Sequence, residues 1–215
     1  MASPSADGGP TRKRRAPEFH VTSTGLNPVD RAEMLKLTEQ LGGKFTDTFT
    51  TVTTHLVARA VGTPKYVVAC EHSLPIVTLE WLRKCRDAGR LLDVEAYALP
   101  CLAGVRVAIT GVAYQTVSAQ QAVQTTLRAH GATVCRDIDR TVTHLLADGT
   151  PTAKLQAVQA GGELAAILVV SDVWLQTCIV RRRWVSEAGF APAPQPAPQP
   201  VLQPQSAPQP QPQPH

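Results

Sequence analysis

The chain is written twice, and that duplication limits what it can fold into more than any other feature. His55 and His144 sit 89 positions apart in the matched runs Thr53-Thr54-His55-Leu56-Val57-Ala58 and Val142-Thr143-His144-Leu145-Leu146-Ala147, and Gly42 with Gly131 and Lys65 with Lys154 keep the same interval. Further on, Leu79-Glu80-Trp81-Leu82-Arg83-Lys84-Cys85 matches Val173-Trp174-Leu175-Gln176-Thr177-Cys178 at an interval of 93, so four residues were inserted near Gly161-Gly162-Glu163. A chain of 215 residues therefore divides into two units of ordinary small-domain size.

Each unit opens on a run that reads as a strand carrying a hydroxyl to its tip: Val21-Thr22-Ser23-Thr24-Gly25-Leu26 and Val107-Ala108-Ile109-Thr110-Gly111-Val112. Glycine after the hydroxyl lets a ligand approach the backbone amide without meeting a Cβ. Asn27-Pro28 then predicts a helix start, and Met34, Leu37, Thr38 and Leu41 form one buried stripe that Gly42-Gly43 ends. Strands are predicted over 44–49 and 53–58. Thr63-Pro64-Lys65 opens a second helix, Pro75-Ile76-Val77 is a short strand, and Thr78 caps a third helix whose inward face is Trp81, Leu82 and Cys85.

Residues 93–103 lose periodicity, and Pro100 marks the boundary between units. In the second unit Ser118 and Gln121 have capping-box spacing, and Ala122, Val123, Thr126 and Leu127 form the stripe. Thr152-Ala153-Lys154 opens the next helix, Ile167-Leu168-Val169-Val170 is the last strand, and Ser171 caps the tryptophan helix. Strand, helix, two strands, helix, strand, helix in each unit makes an α/β protein: a small four-stranded parallel sheet flanked by helices.

Lys65 is the most informative single position. A helix N-terminus already carries partial positive charge, so a lysine in the first turn costs stability unless an anion is expected. A hydroxyl, an unobstructed amide, an ammonium and a helix N-terminus converging on one point suit a doubly charged phosphate.

Charge argues against a broad nucleic-acid footprint. Arg12-Lys13-Arg14-Arg15 account for four of the 21 basic residues and Asp7 for one of the 17 acids, leaving 17 basic against 16 acidic outside the leader. That basic run resembles a nuclear import signal. Residues 1–17 and the Pro-Gln-Ala stretch 191–215 read as disordered, the latter as a spacer. Cys70, Cys85, Cys101, Cys135 and Cys178 form no Cys-x-x-Cys pair and read as reduced, structural thiols. No run is apolar enough to span a membrane, and no paired carboxylates, metal-ligand spacing, nucleotide loop or nucleophile motif points to an enzyme, a cofactor or a small-molecule substrate. His55 and His144 read as satisfied core residues, Trp81 and Trp174 as packing, and Arg181-Arg182-Arg183 as a solvated helix end.

Thr-Gly at the first strand end, Gly-Gly after the first helix, Thr-His-Leu-Val, a lysine opening the second helix and Trp-x-x-x-Cys in the third together resemble the BRCT repeat, across residues 18–190. The pairing is similar to that in the topoisomerase-II-binding checkpoint and replication-initiation scaffold. The resemblance implies repeats at 18–100 and 101–190 that bind phosphoserine or phosphothreonine in phosphorylated nuclear proteins of the DNA-damage, repair and replication checkpoints. It implies that Thr24, Gly25 and Lys65 hold the phosphate, with Arg31 as the arginine seven residues after the hydroxyl, and a second site at Thr110, Gly111 and Lys154. There Gln120 replaces the arginine and the first loop is three residues longer, so the first unit is expected to dominate. Direct binding of DNA ends and phosphate-independent assembly are the alternatives.

Overall fold

The computed structural model describes residues 19–195. The readings of the leader, its basic run and the tail from residue 196 onward lie outside them. The first repeat runs β1 (His20–Thr24), α1 (Pro28–Gln40), β2 (Lys44–Phe45), β3 (His55–Ala58), α2 (Pro64–Glu71), β4 (Ile76–Val77) and α3 (Leu79–Ala88). The second runs β5 (Arg106–Thr110), α4 (Val117–Ala129), β6 (Thr133–Cys135), β7 (His144–Ala147), α5 (Ala153–Gln159), β8 (Leu168–Val170) and α6 (Asp172–Val180). The sheets are wholly parallel, ordered β2-β1-β3-β4 and β6-β5-β7-β8.

A parallel strand covered on both faces must be apolar throughout. Accordingly Leu56 packs with Tyr66 and Ala69 on the α2 side while Val57 packs with Met34, Leu37 and Trp81 on the other. In the second repeat Leu145 lies with Leu155 and Val158, and Leu146 with Leu127, Trp174 and Cys178. Trp81 and Trp174 are fully buried and their indole N–H groups are satisfied, Trp81 by the Leu92 carbonyl (3.0 Å) and Trp174 by the Val185 carbonyl (2.9 Å). Each also stacks on the histidine of its Thr-His pair, at 4.5 Å for His55 and 4.9 Å for His144.

Several predicted boundaries move. β2 ends at Phe45 and β3 begins at His55, because the segment between them turns to hang Asp47 near the sheet tip instead of continuing the ladder. The cap of α4 is Thr116, which accepts from the Ala119 amide (3.2 Å), so the Ser118–Gln121 box does not form. Of the predicted stripe only Leu127 is buried, and Ala122 is exposed. Arg83 clamps Glu33 through two bonds of 2.8 and 2.7 Å and so holds α1 against α3; the corresponding residues on α4 and α6 are Ala122 and Gln176, which cannot. Thr78 and Ser171 occupy N-cap positions, but neither side chain caps its helix.

The boundary segment is not a loose linker. Leu99 donates its amide to the Ile76 carbonyl (2.9 Å), Val77 bridges to Ala98, and Leu99, Cys101, Leu102 and Ala103 are buried. Its sequence lacks a period because each residue is fixed by its own contact. Here the repeats lock together. Val61 donates to the Ala103 carbonyl (2.9 Å), and a Cβ at Gly104 would come within 2.6 Å of the Ala60 side chain. The Trp184 amide donates to the Tyr66 hydroxyl at 3.0 Å, with the two rings edge to face. Residues 191–195, read from composition as disordered, lie against the second repeat, where the Gln195 amide donates to the Gly149 carbonyl (3.0 Å).

Candidate functional site

Thr24 ends β1, and its hydroxyl donates to the Thr63 hydroxyl (3.0 Å). Thr63 also caps α2 by accepting from the Tyr66 amide (3.2 Å), which places the strand tip at the helix N-terminus. Lys65 reaches from the first turn of α2 back across the sheet and donates to the Thr22 hydroxyl (3.2 Å) and the Ser23 carbonyl (3.0 Å). Gly25 at the tip is exposed, with φ +69° and the nearest atoms to a notional Cβ 3.6 Å away. Thr24 and Gly25 thus lie at the tip of β1, and the Lys65 ammonium is bonded one and two residues before Thr24 on the same strand.

Arg31 arrives from α1 with its guanidinium over the Phe45 ring (5.1 Å). It does not engage Thr24; it pairs with the Asp47 carboxylate, and Lys65 donates to the Asp47 carbonyl. The two predicted cations therefore converge on a single acidic residue of their own chain. Burial lowers the Lys65 pKa, and Arg31 adds to that effect while Asp47 opposes it. Sequence reasoning missed Asp47. The signal was an acid in a polar loop 18 positions before the lysine, which nothing in the strand and helix pattern singles out.

The second repeat builds the same frame with different contents. Thr110 and Thr152 hydroxyls meet at 2.6 Å, and Thr152 caps α5. Lys154 donates to the Arg136 carbonyl, as Lys65 does to that of Asp47, so Arg136 and Asp47 are equivalent. Gly111, at φ +128°, is covered: a Cβ there would lie 2.2 Å from the Asp148 carboxylate, which accepts from the amides of Ala113 (2.8 Å) and Thr150 (2.9 Å). Although burial pushes the Asp148 carboxyl up, those amide bonds hold it below the ordinary carboxylate range. Lys154 instead lines a cavity of about 480 Å³ with Gln120, Gln124, Arg128, Val134 and Arg136, and neither Thr110 nor Gly111 lines it.

The histidines are satisfied core residues. His55 Nδ1 meets the Thr54 hydroxyl (2.8 Å); His144 Nδ1 meets that of Thr143 (2.8 Å), and its Nε2 meets Glu187 (2.7 Å). All five cysteines are free thiols, and burial raises those of Cys70, Cys85, Cys101 and Cys178. Among the described residues no group of three or more His, Cys, Asp or Glu could hold a metal, and no helix is long and apolar enough to cross a membrane.

The twin BRCT domain family matches residues 19–81, and the paired repeats superpose on a solved tandem BRCT structure, Rad4 BRCT1,2 with a Crb2 phosphopeptide. The chain has the tandem BRCT fold. That superposition has a TM-score of 0.63 at 27% identity and covers 80% of this chain and 96% of the other. Rad4 BRCT1,2 with an Mdb1 phosphopeptide gives 0.64 at 28%, with the same coverage. In sequence, the S-M checkpoint control protein rad4 of Schizosaccharomyces pombe is 30% identical over 145 residues. The alignment covers 63% of this chain and 22% of the yeast protein, so the matched part is less than a quarter of that relative's length.

Proposed function

We propose that this BRCT pair binds phosphoserine or phosphothreonine peptides as a non-enzymatic nuclear adaptor in checkpoint signalling, with repeats at 18–100 and 101–190. In this reading Thr24, Gly25, Arg31 and Lys65 hold the phosphate in the first repeat. The observation that carries it is the convergence of Arg31 and Lys65 on Asp47 beside the N-terminus of α2. Arg31 already holds the Asp47 carboxylate and Lys65 the Asp47 carbonyl, and a dianionic phosphoryl group is a stronger guest for the same donors. Rad4 BRCT1,2, similar in fold and sequence, holds Crb2 and Mdb1 phosphopeptides.

Fluorescence anisotropy with a labelled phosphothreonine peptide and its unphosphorylated twin tests the reading. The phosphorylated form is expected to bind far more tightly. Lys65→Glu is expected to weaken a singly phosphorylated peptide about ten- to a hundredfold, the equivalent of roughly 1.5–3 kcal/mol for one charge-assisted contact. Equal affinity for both peptides overturns the function, and phosphate-dependent binding indifferent to Lys65→Glu overturns the pocket.

A further inference from the structure

The two pockets differ in charge at three of four matched positions. The 89-residue interval pairs Arg31 with Gln120, Glu39 with Arg128, Asp47 with Arg136 and Lys65 with Lys154. The strand registers support this pairing: Val21 opposes Phe45 and His55, while Val107 opposes Val134 and His144. The first repeat therefore sets two cations against two carboxylates. The second has three cations, and among the described residues no carboxylate pairs with Arg128, Arg136 or Lys154. The carboxylate of the second repeat has moved to the tip, where Asp148 covers Gly111.

We infer that the cavity between α4 and β6 is a second anion site, which takes the phosphoryl group of a phosphorylated side chain away from the Thr110–Gly111 tip. Lys154 contributes an ammonium at its floor and Arg128 and Arg136 contribute two guanidinium forks, while Gln120 and Gln124 supply amide donors. Gln124 already accepts from the Arg128 guanidinium at 3.1 Å, which turns that fork along α4 beside the cavity. The space exists because Val134 stands where Phe45 and the Arg31 guanidinium fill the first repeat. Three cations with no carboxylate partner among the described residues surround about 480 Å³ and attract a dianion, and Asp148 repels the same dianion from the tip. The expectation that the first repeat dominates rests on Arg31 against Gln120 and on the longer first loop; with the neighbouring charges included, the cation excess lies in the second repeat. The inference rests on the phosphopeptide reading only for the source of the phosphoryl group.

The test is a titration of the ¹⁵N-labelled full chain with N-acetyl-phosphothreonine N-methylamide, its unphosphorylated form and inorganic phosphate, read by chemical shift. The phosphorylated amide is expected to shift the backbone amides of Gln124, Val134 and Arg136, and to do so in the Lys65→Glu background. Arg128→Gln and Arg136→Asp, both at exposed positions, should each weaken that response at least tenfold. Arg136→Lys should retain most of it. Shifts confined to residues around Thr24 and Lys65 overturn this inference and leave the first pocket intact. Shifts at Thr110 and Gly111 that survive both arginine substitutions overturn the displaced site. Tight binding of inorganic phosphate without the phosphothreonine amide overturns a peptide-borne phosphoryl group as the guest.

Discussion

The first and second repeats share a sheet order, a capping threonine before α2 and α5, and a lysine that reaches back over the sheet, yet their tips are charged in opposite ways. Asp47 fills the first pocket and leaves Gly25 open; Asp148 covers Gly111 and leaves the second pocket open. The frame is set by backbone pairing and capping, which tolerate any surface residue nearby. What the frame can bind is set by exposed positions on α1 or α4 and in the loop after β2 or β6, which the core does not constrain. A duplicated fold can thus keep its core and redistribute its binding chemistry.

The largest expected effect probes what the repeats share. Trp81→Ala and Trp174→Ala should each cost about 3–5 kcal/mol in urea unfolding, since both side chains are fully buried and hydrogen-bonded. A cost confined to one of them would break the equivalence of the two cores. Next is the contact that joins the units. Tyr66→Phe leaves the Trp184 amide without its acceptor and should cost about 1–3 kcal/mol, with faster hydrogen exchange at residues 61–66 and 184. Unchanged exchange would mean that the hydroxyl does not hold the repeats together.

The charge contrast is sharpened by Asp47→Asn. Arg31 and Asp47 are 39% and 68% exposed, so their pairing is worth about 0.2–1 kcal/mol, and releasing it should tighten phosphopeptide binding at the first repeat by up to about fivefold. Weaker binding in the anisotropy assay would show that Asp47 supports the pocket and does not compete for it.

The smallest effect concerns pH. Burial lowers the pKa of both His55 and His144, and Glu187 opposes it only at His144. A base with a depressed folded pKa stabilises the fold above its unfolded value, near 6.5, and that contribution is lost as the pH falls through the folded pKa. Thermal stability should therefore drop below about pH 6.5. Glu187→Gln should steepen the drop by removing the group that raises the His144 pKa; a shallower profile would reverse that assignment.

Much of this was legible beforehand. β1 ends on Thr24, Asn27 and Thr63 cap as expected, and Trp81, Leu82 and Cys85 are buried, because caps and periodic faces act over a few neighbouring residues. That Thr24 and Gly25 stand at a strand tip was also readable, since the apolar strand pattern stops at them. The Ser118–Gln121 box failed because a competing threonine two residues earlier takes the cap, and the stripe on α4 shrank because the second repeat lacks the Arg83–Glu33 clamp.

The sequence by itself determined the duplication, the α/β architecture, the buried tryptophan pair and the threonine-glycine tip of each first strand, because repeats, caps and apolar periods are local in the chain. Only the tertiary structure decided that Asp47 sits with Arg31 and Lys65, that Asp148 covers Gly111, that Arg128 and Arg136 join Lys154 around an open cavity, and that Trp184 meets Tyr66 from 118 positions away. Those partners are exposed or distant in sequence, and electrostatic and hydrogen-bonding contacts depend on separation in space, which no pattern of nearest neighbours encodes.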